Sequence, residues 1–149
     1  MTVIWCALAA GTLDGLAAII VYGPVFGQAS ISKIFQGISS GLFGRHAFSG
    51  GLPYTFYGIL LHYAIAFLFS IAYGLAYPRF PLLQKNWLRN GALYGVIVWI
   101  VMNKLVLPMA GMPGGSTFTG VIIGMAILIF CVGLPIAGIT QFCLSSQIK

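Results

Sequence analysis

The stretch from Phe118 to Leu144 reads FTGVIIGMAILIFCVGLPIAGITQFCL and contains no Asp, Glu, Lys, Arg or His. As a helix it would extend about 40 Å, more than the roughly 30 Å of hydrocarbon in a bilayer. A helix that is apolar on every side must be wrapped by protein or by lipid. A chain of 149 residues is too short to wrap several such segments. This segment is therefore read as a transmembrane span, with Pro135 expected to kink it.

Three more runs have the same character. Thr2 to Tyr22 ends at Gly23-Pro24, where proline cannot continue the hydrogen-bond ladder. Pro53 to Tyr77 carries Tyr54 and Tyr57 near one end and Tyr73 and Tyr77 near the other, positions that suit the two interfacial belts. Asn90 to Leu107 stops at Pro108. Composition agrees: 60% of residues are hydrophobic and 5% charged, and the mean hydropathy is +1.02. Soluble domains carry about 25% charged residues, because water must solvate their outside. The expected fold is an all-α integral membrane domain, 1–149, built as a four-transmembrane-helix bundle with spans at about 2–22, 53–77, 90–107 and 118–144. Its N-terminal run lacks a basic leader segment and carries Asp14, so it is read as a retained helix and not a signal peptide.

The segment 30–44 differs. Ile31, Ile34, Phe35, Ile38 and Leu42 recur at helical spacing, and Ser32, Lys33, Gln36, Ser39 and Ser40 take the other faces. It is too short to span, so it is read as an amphipathic interfacial helix, with a re-entrant half-helix as the alternative. Ser49-Gly50-Gly51-Leu52-Pro53 then turns the chain back. The loop 109–117, rich in Gly and Pro, reads as a turn.

The net charge of +6 comes from Lys33, Arg45, Arg79, Lys85, Arg89, Lys104 and Lys149 against one acid, Asp14. These cations are scattered beside apolar runs, unlike the dense patch of a nucleic-acid-binding domain. They read as topology-setting charge. The connection Pro78 to Arg89 is the densest and should be cytoplasmic, which puts both termini in the cytoplasm, in agreement with Lys149. Lys33 and Arg45 run against that assignment. On the outer side they and His46 are candidates for headgroup contact. Cys6, Cys131 and Cys143 lack metal or redox spacing and read as packing residues.

Ionisable groups inside hydrocarbon are the most informative feature. Depths counted along each helix place Asp14 about 18 Å, His62 about 22 Å, and Asn103 and Lys104 about 20 Å from the inner face. One layer would hold all four. A charge at that depth costs about 2.5–3.5 kcal/mol on insertion scales and normally turns inward. Asp14 could pair with Lys104, helped by His62 and Asn103, or be a protonated structural residue, and Lys104 could instead snorkel outward. Asn103 is expected to bond a neighbouring helix. Small-residue pairs Gly11/Gly15, Gly91/Gly95 and Gly120/Gly124 would let helix backbones approach, within the chain or between copies.

Catalytic chemistry finds little support. One acid excludes a paired-carboxylate mechanism, and no nucleophile elbow, Walker loop or dinucleotide fingerprint is present. No metal site and no cofactor are expected. Gly11-Thr12-Leu13-Asp14, Phe35-Gln36-Gly37-Ile38-Ser39-Ser40-Gly41, Ala47-Phe48-Ser49-Gly50-Gly51, Leu60-Leu61-His62-Tyr63, and Tyr94-Gly95 with Val101-Met102-Asn103 together resemble a family of small four-helix bacterial inner-membrane proteins with no assigned activity. The resemblance implies that setting and four spans, and no site roles. The leading expectation is a non-enzymatic interaction, accessory or lipid-binding protein of the bilayer, as a homo-oligomer or within a larger membrane complex. The alternative is a small proton-coupled transporter or channel that titrates Asp14.

Overall fold

A computed structural model describes residues 1–25, 30–109 and 117–145. The expected turn around Gly111–Gly115 and the topology residue Lys149 lie outside these residues. Within them the chain is helical, and four helices are long and apolar enough to cross a membrane: Thr2–Gly23, Leu52–Ala76, Trp87–Met109 and Phe118–Leu144. They are spans one to four. A shorter helix, Ile31–Phe43, followed by a 3-10 turn, Gly44–Phe48, links spans one and two.

Three of the spans are interrupted by π-helical turns: Val21–Val25 in span one, Met102–Val106 in span three and Leu128–Gly133 in span four. Each contains a proline or stands two residues before one, namely Pro24, Pro108 and Pro135. A proline ring clashes with the carbonyl four residues earlier and supplies no N–H to it; a wider turn relieves both faults. The expected kink at Pro135 thus takes the form of a π-turn ahead of it. The expected stop at Pro108 is a continuation to Met109. Span three also begins at Trp87 and not Asn90, because the Asn86 side chain accepts from the Arg89 N–H and caps the helix.

Span one packs against spans two and four, and span four against span three. Spans two and three meet through Tyr94, whose hydroxyl donates to the Phe69 carbonyl at 2.6 Å. The tightest seam joins spans three and four. A Cβ on Gly95 would stand 2.5 Å from Ile129 Cα. One on Gly133 would strike the Gly91 carbonyl and lie 2.6 Å from Gly95 N. Glycine permits this backbone contact, through which helices gain dispersion energy in lipid.

The bundle has a closed half and an open half. The closed half holds the buried core of Cys6, Ala10, Tyr73, Tyr77, Val98, Val132, Ile136 and Ala137. Its end is sealed by the 77–86 connection: Gln84 donates to the Tyr77 carbonyl, Asn90 of span three to that of Leu82, and Gln141 of span four to that of Gln84. The cysteines are unbridged, and Cys6 lies 3.5 Å from the Thr140 hydroxyl.

The linking helix lies beside span two between Tyr54 and His62, which Phe43 and Phe35 approach at ring distances of 5.3 and 6.1 Å. Its Gln36, Ser39 and Ser40 are buried, and Ile31, Leu42 and Phe43 are exposed. Phe35 is buried with the three polar residues and Lys33 is exposed, so polar and apolar side chains occur on both sides of the helix. Exposed apolar residues are at no disadvantage beside lipid tails, which are as apolar as leucine. Inward, the polar groups find partners: Gln36 donates to the Gly51 carbonyl at 3.0 Å, and Ser39 to that of Gln36. Gly58 lets the Phe35 backbone touch span two.

Candidate functional site: an intramembrane acid between two cavities

The open half contains Asp14. Its Oδ2 stands 4.0 Å from His62 Nδ1, and the side chains retain 22% and 12% exposure respectively. The local sequence places this pair. Gly11 and Gly15, one turn apart on span one, form a smooth strip: a Cβ on Gly11 would come within 2.8 Å of the Tyr63 ring, and one on Gly15 within 3.3 Å of His62 Nε2. The imidazole can therefore lie against the span-one backbone. Phe35 and Tyr63 hold it edge-on at 6.1 and 5.6 Å, and Tyr63 is itself held by Thr12, with 3.0 Å between the hydroxyls.

His62 Nε2 lies 2.8 Å from the Gly11 carbonyl oxygen. A carbonyl only accepts, so Nε2 carries the hydrogen. Nδ1, facing Asp14, is then a bare acceptor in neutral histidine and a donor in imidazolium. A protonated carboxyl matches the first state and a carboxylate the second. At 4.0 Å the contact is longer than a hydrogen bond, and a shift of about 1 Å or a bridging water would transmit the proton.

Asp14 lines two cavities. The smaller, about 150 Å³, lies toward the core and is bounded by Ala10, Ile38, His62, Phe69 and Val132 among others. The larger, about 550 Å³, extends between spans one, three and four past Tyr22, Trp99, Asn103 and Thr119. It runs from Asp14 to the level of Tyr22, Leu107 and Thr117, where spans one and three end and span four begins. That is about 12 Å of helix axis. Each π-turn contributes to its wall, through Tyr22, Met102 with Asn103, and Leu128. The prolines thus shape the space as well as the helices. π-turns often mark functional sites.

Of the four polar residues expected in one layer, the structure brings Asp14 and His62 together. Asn103 lines the large cavity but bonds back to the Trp99 carbonyl of its own helix at 3.0 Å, and not to a neighbouring one. Lys104 is exposed, lines neither cavity and forms no ion pair among the described residues. One residue on from Asn103 along the π-turn, it is turned roughly a quarter-turn away. Lys33, Arg45 and His46 are exposed on the linking segment, away from the acid. Gly120 and Gly124 line the large cavity, and Gly124 stands beside Trp99. Among the described residues no group of His, Cys, Asp and Glu could hold a metal.

Tyr22, Trp99 and Thr119 were not singled out from the sequence. The available signal was the three prolines inside or just after apolar spans, which foretell wall-forming distortions. Fold and site define a multi-pass α-helical membrane protein with a partly buried acid–imidazole pair at the junction of two cavities. Compared with known protein families, with curated proteins and with solved structures, the chain matches none.

Proposed function

We propose that this chain is a small proton-coupled transporter, non-enzymatic, in which Asp14 titrates and His62 shares its proton. The observation that carries the reading is that the lone acid faces two cavities, one toward the core and one toward the end of the bundle. A carboxyl with a cavity on either side can take a proton from one and give it to the other. Intramembrane acids are costly and usually mark such pathways. The resemblance noted above, and the cations Arg79 and Lys85 between spans two and three with Arg89 in the first turn of span three, favour a bacterial inner membrane with both termini cytoplasmic.

The rival role, an interaction or accessory subunit, drew on the lack of catalytic motifs, the amphipathic segment 30–44 and the glycine pairs. Those of spans one and three are occupied within the chain, by Tyr63 and His62 and by span four. That removes the sequence-level reason to assign them to contacts between copies. The test is reconstitution in liposomes carrying an internal pH indicator, with organic cations, amino acids and sugars added one at a time. Wild type is expected to couple at least one solute to proton movement and Asp14→Asn none. Coupling that survives Asp14→Asn overturns the proton assignment, and no coupling with any solute overturns transport.

A further inference from the structure

We infer that the larger cavity is a binding site for one hydrophobic monocation, whose charge Asp14 neutralises in exchange for the proton it shares with His62. The inference deepens the proposed function by naming the class of its cargo. At about 550 Å³ the cavity is in the size range of pockets for drug-like molecules, and it is about half open to the surroundings of the bundle. Its wall is mainly apolar, with polar side chains at a few points: Asn103, Thr117 and Thr119, besides Asp14 itself. Two aromatic side chains, Tyr22 and Trp99, stand in the same wall. Aromatic rings attract cations through their quadrupole, most strongly where water is excluded. No lysine or arginine lines the space among the described residues.

Charge balance sets the ligand at a single positive charge. Asp14 is the one acid in the chain, so a dication would bury a charge without a partner, at heavy cost. An anion would face the carboxylate, and a neutral molecule would gain nothing from it. With the site empty, the Asp14–His62 pair carries one proton and is neutral. A bound monocation beside the carboxylate makes that proton redundant. The pair then releases it, His62 keeps its Nε2–H on the Gly11 carbonyl, and the occupied site is again neutral. One cation enters and one proton leaves.

Other titratable groups do not disturb this count. Tyr22, which shares the cavity wall with Asp14, and Cys131 in the π-turn of span four are a phenol and a thiol, uncharged at neutral pH. Tyr63, beside His62 on span two, is hydrogen-bonded to Thr12. From span three the facing side chain is the uncharged Asn103, and the linking helix presents Phe35 and Ile38. Affinity should therefore rise with pH, up to tenfold per unit while the pair still holds its proton, and level off once it is lost.

The experiment is equilibrium binding of tetraphenylphosphonium to the full chain in lipid nanodiscs, with empty nanodiscs as the blank. Tetraphenylborate, of the same shape and opposite charge, is the comparison. Calorimetry in two buffers of different ionisation enthalpy counts the protons. Expected are one bound cation, about one proton released, and binding at least tenfold tighter than that of the borate. Asp14→Asn should lose the pH dependence and at least tenfold in affinity, and Asp14→Glu should restore both. Equal binding of the two ions, or cation binding without proton release in wild type, overturns the inference even if Asp14→Asn fails to fold. Cation binding without flux in liposomes would sink transport and leave this site standing. Solute-coupled proton flux without cation binding would do the reverse.

Discussion

Gly133→Ala tests the seam on which the bundle depends. The added methyl would strike the Gly91 carbonyl and sit 2.6 Å from Gly95 N and 2.8 Å from Gly95 Cα. A carbon needs about 3.3 Å or more from such atoms. All three neighbours are backbone, so no side chain can rotate away, and the Gly91 carbonyl, the tightest of them, forces spans three and four apart by about 1 Å. A gap of that size forfeits about half of each dispersion contact along the seam. With about 40 atom pairs at 0.1–0.2 kcal/mol each, the loss is about 2–4 kcal/mol. Alanine returns up to about 1 kcal/mol of helix propensity. The net expectation is destabilisation by about 1–3 kcal/mol, read by thermal unfolding in a mild detergent. Gly37→Ala is the matched control, because a Cβ there meets nothing within 4 Å. Should Gly133→Ala melt at or above the wild-type temperature, spans three and four do not touch as described.

Two further outcomes follow from single contacts. Gly58→Ala would set a Cβ against the Phe35 backbone and should free the linking helix, at about 1–3 kcal/mol; amide hydrogen exchange should rise in Ile31–Phe43 and stay unchanged in spans three and four, whereas uniform exchange in all segments would refute the contact. Tyr94→Phe removes the 2.6 Å bond to the Phe69 carbonyl and should cost about 0.6 kcal/mol and not above about 1.7, as interhelical bonds in bilayers do; an unchanged melt would show that the bond adds nothing.

Much of the architecture is legible along the chain. The four spans, expected at about 2–22, 53–77, 90–107 and 118–144, stand at Thr2–Gly23, Leu52–Ala76, Trp87–Met109 and Phe118–Leu144. Where a boundary moved, a local hydrogen bond moved it. The Asn86 cap draws Trp87, Leu88 and Arg89 into span three, although hydropathy alone assigns them to the loop. The linking helix was visible as a helix, but its orientation was not. Periodicity shows that two faces differ, and only the contacts with span two decide that Phe35 turns inward beside Gln36, Ser39 and Ser40.

The candidate site shows the same division. Residue type and depth along a helix already marked Asp14 and His62 as costly, inward-turning groups, because the penalty for a charge in hydrocarbon depends on depth and little else. Rotation about the helix axis is another matter, since the sequence of one span carries no reference to its neighbours. Packing of span one between spans two and four turned Asp14 onto His62 and both cavities, and turned Lys104 out. The chain by itself thus determined what must be buried and roughly how deep. Which buried groups face one another was decided only when backbones met at the glycines and the prolines widened the turns around the space between them.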